Sequence, residues 1–208
     1  MSTSRRTPSH PKDYHHGDLA ATLVAAAIVL LSKKGIAGLS LRAAARKAGV
    51  SAMAPYRHFA DKEALLAAVA EHGFGLFARA LRGAGQSGAD PFARLRARGV
   101  AYVRFALDHP ELFRLMFGPE IADKKKYPGL AAAGQDALGA LAETIEPCMP
   151  GIEAWNRDDV ALASWSAMHG LAALMVDGRL GDRPGDAGAA ADRVGRMLIE
   201  GIRARQSR

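Results

Sequence analysis

Residues 40–62, SLRAAARKAGVSAMAPYRHFADK, constrain the fold of this 208-residue chain more than any other stretch. Leu41, Ala44, Ala45 and Ala48 recur at i, i+3, i+4 and i+7, one face of an α-helix. Gly49 stands where a helix commonly ends in the left-handed conformation that glycine enters without a Cβ penalty. Ser51 follows, with a side-chain oxygen for the unpaired N–H groups at the head of a next, short helix. Helix, glycine turn and short helix make a helix-turn-helix pattern, whose second helix lies in the major groove of DNA.

The charge distribution points the same way. Residues 1–62 hold ten Lys/Arg against three acids, which accounts for the whole net charge of +7; the remaining 146 residues hold eighteen of each sign. A basic part joined to a neutral part is the electrostatic footprint of a nucleic-acid reader attached to a partner domain. A solvated basic face would explain the charge alone, but not its coincidence with the motif. An architectural DNA-binding protein is the alternative reading, and it would spread positive charge along the whole molecule. With 49% hydrophobic and 24% charged residues the composition is that of a folded globular protein.

No unbroken apolar run of membrane-spanning length is evident, and the first residues lack the apolar core of a signal peptide, so the expected location is cytoplasmic, with no membrane partner. The single cysteine, Cys148, suits a reducing compartment and reads as a plain buried thiol. An α-helical enzyme is the remaining alternative. The chain has no phosphate-binding glycine loop, GxSxG, HExxH or Cys–His cluster, and its adjacent Asp158 and Asp159 fall on different helix faces. No catalytic residues and no cofactor are expected. His15, His16 and Asp18 do not make a metal site either, because adjacent histidines on a helix diverge and no further ligand is near.

Helical periodicity runs through the rest of the chain, and no segment alternates with period two. The fold class expected is all-α, with about nine helices. Residues 1–15 read as a flexible basic arm, either reaching DNA or simply a tail, and 16–62 as a three-helix helix-turn-helix bundle. Residues 63–208 read as a second, helical domain. A helix from about Gly17 to Lys34, closed by Gly35, leads into Ser40 as N-cap. Asp61 caps a long helix from Lys62 to about Leu81. Gly83–Gly88 reads as a linker, Asp90-Pro91 opens a helix that stops at His109-Pro110, and Lys124–Lys126 reads as a solvated surface loop. Further helices are expected over 130–145, 157–176 and 189–205.

Residues 48–69, AGVSAMAPYRHFADKEALLAAV, resemble the signature of TetR/AcrR-type transcriptional regulators, and YHHGDL at 14–19 resembles the lead-in of one branch. Trp165 with His169-Gly170 resembles the Trp-His-Gly motif of one C-terminal subclass. The resemblance implies a homodimeric repressor released from a palindromic double-stranded operator by a small-molecule effector. In it the middle helices enclose the effector and the last two pair across the dimer, which implies that residues 63–208 are an effector-binding and dimerisation domain. Tyr56 and Lys62 match family positions that touch phosphates. Met53 and Pro55 depart from the family pattern, where a small residue and leucine are usual.

The residues themselves supply further candidates. Ser40 offers a hydroxyl to a phosphate, while Arg42, Ser51, Ala52, Ala54 and Arg57 are the candidate base readers, with a phosphate contact as the rival role for both arginines. His58 either donates to a phosphate or fixes the turn before Phe59. Tyr102, Phe105, Phe113, Met116, Phe117, Leu138 and Trp165 are candidates to line an apolar effector cavity, each also readable as core. His169 either joins them or forms a stacked structural pair with Trp165. Trp165, Met168, Val194, Leu198 and Ile202 are the candidate dimer contacts.

Overall fold

A computed structural model describes residues 19–86, 90–149, 154–181 and 186–206. The expected basic arm, with His15, His16 and Asp18, lies outside them. The described residues are helical, with no strand among them: α1 Leu19–Lys34, α2 Leu41–Ala48, α3 Lys62–Gly85, α4 Pro91–Asp108, α5 Pro110–Phe117, α6 Pro128–Ala142, α7 Ile145–Cys148, α8 Ala154–Val176 and α9 Ala187–Gln206.

The helix ends follow from capping chemistry. The Ser40 hydroxyl accepts from the Ala43 N–H at 3.1 Å, Asp61 from Ala64 at 2.8 Å and Asp90 from Ala93 at 2.9 Å. Each gives an orphan N–H of a first turn its acceptor. Gly49 ends α2 at φ +73°, the left-handed region its sequence position requires.

Three expectations change. The second helix of the helix-turn-helix is a single 3-10 turn, Ala54–Arg57. Its first bonds run from Ala54 N–H to the Ser51 carbonyl and from Tyr56 N–H to the Met53 carbonyl, so Ser51 contributes its backbone rather than a side-chain cap. Pro55 sits buried in the turn and lacks the N–H that an α-helix headed by Ser51 would bond to the Ser51 carbonyl. The Gly83–Gly88 linker is also too long, because α3 continues through Gly85. Arg82 forks onto Asp136 and also reaches Glu143, clamping this last part of α3 to α6. That contact and the burial of Leu81 and Gly85 act against the helix cost of glycine, about 1 kcal/mol per residue. Finally, α3 and the 157–176 part of α8 are each long and apolar enough to cross a membrane by length and composition.

α3 runs through the centre, packing along α6 and α4, while α4 carries α8 and α9 on its other sides. One continuous core joins Leu23, Leu41 and Phe59 at the N-terminal end to Phe77, Tyr102, Met116 and Met168. A smaller cluster holds Leu95, Ile145, Cys148, Ile199 and Ile202. Burial pushes the Cys148 thiol up to about 11, which keeps it protonated and unreactive. α5 packs on both α1 and α3. It approaches α3 closely because position 73 is glycine: a Cβ there would stand 2.8 Å from Met116 Sδ and 2.9 Å from Leu112 Cδ1.

Candidate nucleic-acid interface and effector cavity

The 3-10 turn at 54–57 is held from below. Pro55 and Phe59 are buried, and both His58 and Phe59 donate their N–H to the Pro55 carbonyl at 2.9 Å. Ser51, Ala52, Met53, Tyr56, Arg57 and His58 are consequently exposed around the turn, with Ser40 and Arg42 exposed at the start of α2; Ala54 is only half-exposed. Met53 is the most prominent, 70% exposed on a surface otherwise polar and basic. His58 is an outward ring tilted against Phe59, with centroids 6.4 Å apart. Lys62 has a structural partner: its ammonium donates to the Ile36 carbonyl at 2.9 Å, tying the start of α3 to the turn after α1. Arg42, Arg46, Lys47 and Arg57 form no ion pair with another described residue, which leaves their charge available to an external anion.

In the body, a cavity of about 230 Å³ lies between α3, α4, α5, α6 and α8. Of the sequence candidates, Tyr102, Met116, Phe117, Leu138 and Trp165 line it. Leu138 stands at its rim, 46% exposed. Phe105 and Phe113 do not line it. Phe105 packs on Phe77 with centroids 5.0 Å apart, and Phe113 lies among Phe117 and His169 at 4.9 and 5.3 Å. Phe74, Phe77, Leu81, Ala137, Leu141 and Lys124 complete the wall and were not foreseen, because they face the cavity only once α3, α5 and α6 are docked. Lys124 is no freely solvated lysine: it is half-buried, and its ammonium donates to the Met116 carbonyl at 3.0 Å, at the C-terminal end of α5.

One polar chain crosses the wall. Trp165 Nε1–H donates to the Tyr102 hydroxyl oxygen at 3.2 Å, and that hydroxyl is hydrogen-bonded to His169 Nδ1 at 2.9 Å. When the hydroxyl donates, His169 accepts at Nδ1 and is neutral with its proton on Nε2. Burial acts in the same direction, lowering its pKa below the usual 6.5. The Trp165 and His169 rings meet edge to face, centroids 6.2 Å apart, rather than stacked. Tyr102→Phe would leave the indole N–H and the imidazole nitrogen without their shared partner. It is expected to cost about 2 kcal/mol, measured by urea unfolding; an unchanged midpoint would mean the chain carries no stability.

The second half of α8 and α9 divides by exposure. Met168 is buried against Gly99 of α4, and Ile202 belongs to the smaller core cluster, so neither is available to a partner. Val194 and Leu198 are half-buried against the core. The apolar side chains left outside are Leu162 at 58%, Leu174 at 41% and Met197 at 73%.

Residues 23–69 match the model of the bacterial regulatory proteins of the tetR family, and residues 95–198 that of the tetracyclin repressor-like C-terminal domain. The chain belongs to the TetR family. Among solved structures, a protein of unknown function from Rhodococcus sp. RHA1 is 34% identical across 90% of this chain and 97% of that one, with a TM-score of 0.77. A tetR-family regulatory protein from Rhodococcus RHA1 (22% identity, 87% and 95% covered, TM-score 0.65) shares the fold. So does the transcriptional regulator FadR from Bacillus subtilis in complex with stearoyl-CoA (14%, 87% and 98%, 0.67). No curated protein matches the chain. In this TetR-family regulator the N-terminal match spans α1, α2, the reading turn and the start of α3. The C-terminal match begins at Leu95 and takes in every described element of the cavity except α3.

Proposed function

We propose that the chain is a homodimeric, sequence-specific DNA-binding repressor, released from a palindromic operator by a small molecule bound in the cavity of the body. What carries the reading is the turn at 54–57: a buried Pro55–Phe59 floor holding six exposed residues outward, beside arginines that form no ion pair with another described residue, on the segment that holds the whole net charge. Residues 16–62 form the reading head and 63–208 the effector and dimerisation part. α3 belongs to both and is the lever between them, with α5 wedged on α1 and α3. Trp165 and His169-Gly170 support a reading of the C-terminal part as the Trp-His-Gly subclass.

In the head, Ser40, Tyr56, His58 and Lys62 meet phosphates, and Arg42, Ser51, Ala52, Ala54 and Arg57 meet base edges. Two heads on a two-fold axis read half-sites about a helical turn, or a multiple of it, apart. The dimer face is built on α8. Leu162, Ala163, Ser166, Gly170 and Leu174 lie on one side of it, only 17% of its apolar window is buried within the chain, and a Cβ at Gly170 would meet open space. A partner subunit is the apolar cover such a helix lacks. Met197 of α9 flanks it.

Gel shifts on DNA flanking the gene, with random DNA as competitor, test the reading; equal affinity for both would replace it with an architectural role. Arg42→Ala should weaken operator binding more than random-DNA binding, by about 1–3 kcal/mol for a lost guanine contact. Lys62→Ala should weaken both alike and flatten the slope of log K against log salt by about one. A slope left unchanged would confine Lys62 to its bond with Ile36.

A further inference from the structure

We infer that the effector is an amphipathic anion: an apolar chain seated in the cavity with a negatively charged head at Lys124. The inference rests on the cavity being the effector site and adds the class of molecule it takes.

Lys124 is the cavity's charged wall residue, and no carboxylate lines the cavity with it. Its ammonium has three donors, of which the Met116 carbonyl engages one. It forms no ion pair with a described residue. Lys125 and Lys126, exposed in the same 3-10 turn, add positive charge beside it. The remaining wall is aromatic and aliphatic, apart from the Tyr102 hydroxyl and the Trp165 indole, whose polar atoms already satisfy one another and His169.

A second positive group lies one helical turn from Tyr102. Arg98 of α4 is 5% exposed, its Nη2 pairs with Glu143 at 3.5 Å, and its Nε and Nη1 have no hydrogen-bond partner among the described residues. Arg98 does not line the cavity and Glu143 offsets part of its charge, so the positive charge on the wall is that of Lys124. The Lys124 charge disfavours a cationic head, and a neutral polar head would gain from the ammonium only the weaker kind of hydrogen bond. An anion makes charge-assisted bonds to the ammonium, which are the stronger kind. The volume sets the size. At about 230 Å³ the cavity is below the range of roughly 300–1,000 Å³ common for drug-sized ligands, which fits a chain of medium length with its head left at the Lys124 mouth. Free carboxylates and the phosphates of an acyl thioester share this head chemistry.

The test uses the full-length Trp155→Phe protein, in which Trp165 on the cavity wall is the single tryptophan, without DNA. Decanoate, decanoyl-coenzyme A, 1-decanol and decyltrimethylammonium are titrated against its fluorescence. The expected result is that decanoate or the thioester binds at least tenfold more tightly than decanol, and the ammonium most weakly. Lys124→Gln should remove most of that preference while leaving decanol binding within a factor of two, which a merely structural lysine would not do. Whichever anion binds more tightly identifies the source of the charge. Equal binding of decanol and both anions, no binding of any probe, or a preference that survives Lys124→Gln would each overturn the inference. Because the signal needs no operator, it fails separately from the regulator reading: operator binding without anion binding sinks this inference alone, and anion binding without operator binding sinks only the other.

Discussion

The unaltered protein is expected to sediment as a dimer at micromolar concentrations, and a Leu162→Glu/Leu174→Glu variant as a monomer. Fully burying a leucine contributes about 1.5–3 kcal/mol, and these two are 58% and 41% exposed in the single chain. About half of that gain, roughly 1 kcal/mol each, therefore remains to be realised against a partner. A two-fold interface repeats each contact, so the loss is about 4 kcal/mol, or about a thousandfold in dissociation constant. Confronting four carboxylates across the axis adds to it. Because both side chains point outward, the fold of each subunit should survive, with helical circular dichroism unchanged. Binding to a full palindrome should drop to that of a half-site. A variant that still sediments as a dimer would move the interface off this face of α8.

Phe59→Ala is expected to destabilise the reading head by about 3–5 kcal/mol, the usual range for truncating a buried phenylalanine. The ring is 7% exposed in the core with Leu41 and Leu65, and the Phe59 N–H closes onto Pro55. Removing it takes the floor from under the turn that presents Met53, Tyr56 and Arg57. Operator affinity should fall more than a hundredfold, and amide exchange of α2 should quicken before that of α3. A loss of unfolding free energy below about 1 kcal/mol would show that the site collapses around the missing ring.

The reading turn itself explains how far local reasoning reaches. Ser40, Gly49 and Asp61 were legible because each acts within its own turn of chain: a side chain caps an N–H three residues on, or a glycine takes φ +73°. The second helix was overestimated because Pro55 lacks the N–H that an α-ladder headed by Ser51 would need, while the outward direction of its neighbours is kept. Lys62 was legible as a cation but not as a donor to Ile36, a residue 26 positions away.

The cavity and the packing of α8 and α9 show the opposite case. Aromatic residues on an amphipathic helix carry the same periodicity whether they fill a core or line a space, so Phe105 and Phe113 could not be told from Phe117 in advance. Lys124 read as loop charge until α5 and α6 brought it over the cavity. Met168 and Ile202 had the pattern of interface residues and are inner contacts instead, because α8 and α9 rotate those positions onto α4 and the smaller core.

By itself the sequence determined the all-helical class, the caps at Ser40, Gly49 and Asp61, the family and the basic character of the N-terminal segment, since periodicity, capping and net charge are properties of neighbouring residues. Which apolar side chains enclose a cavity, which lysine guards it and which leucines stay outside were decided only by tertiary packing, because each depends on the relative placement of helices distant along the chain.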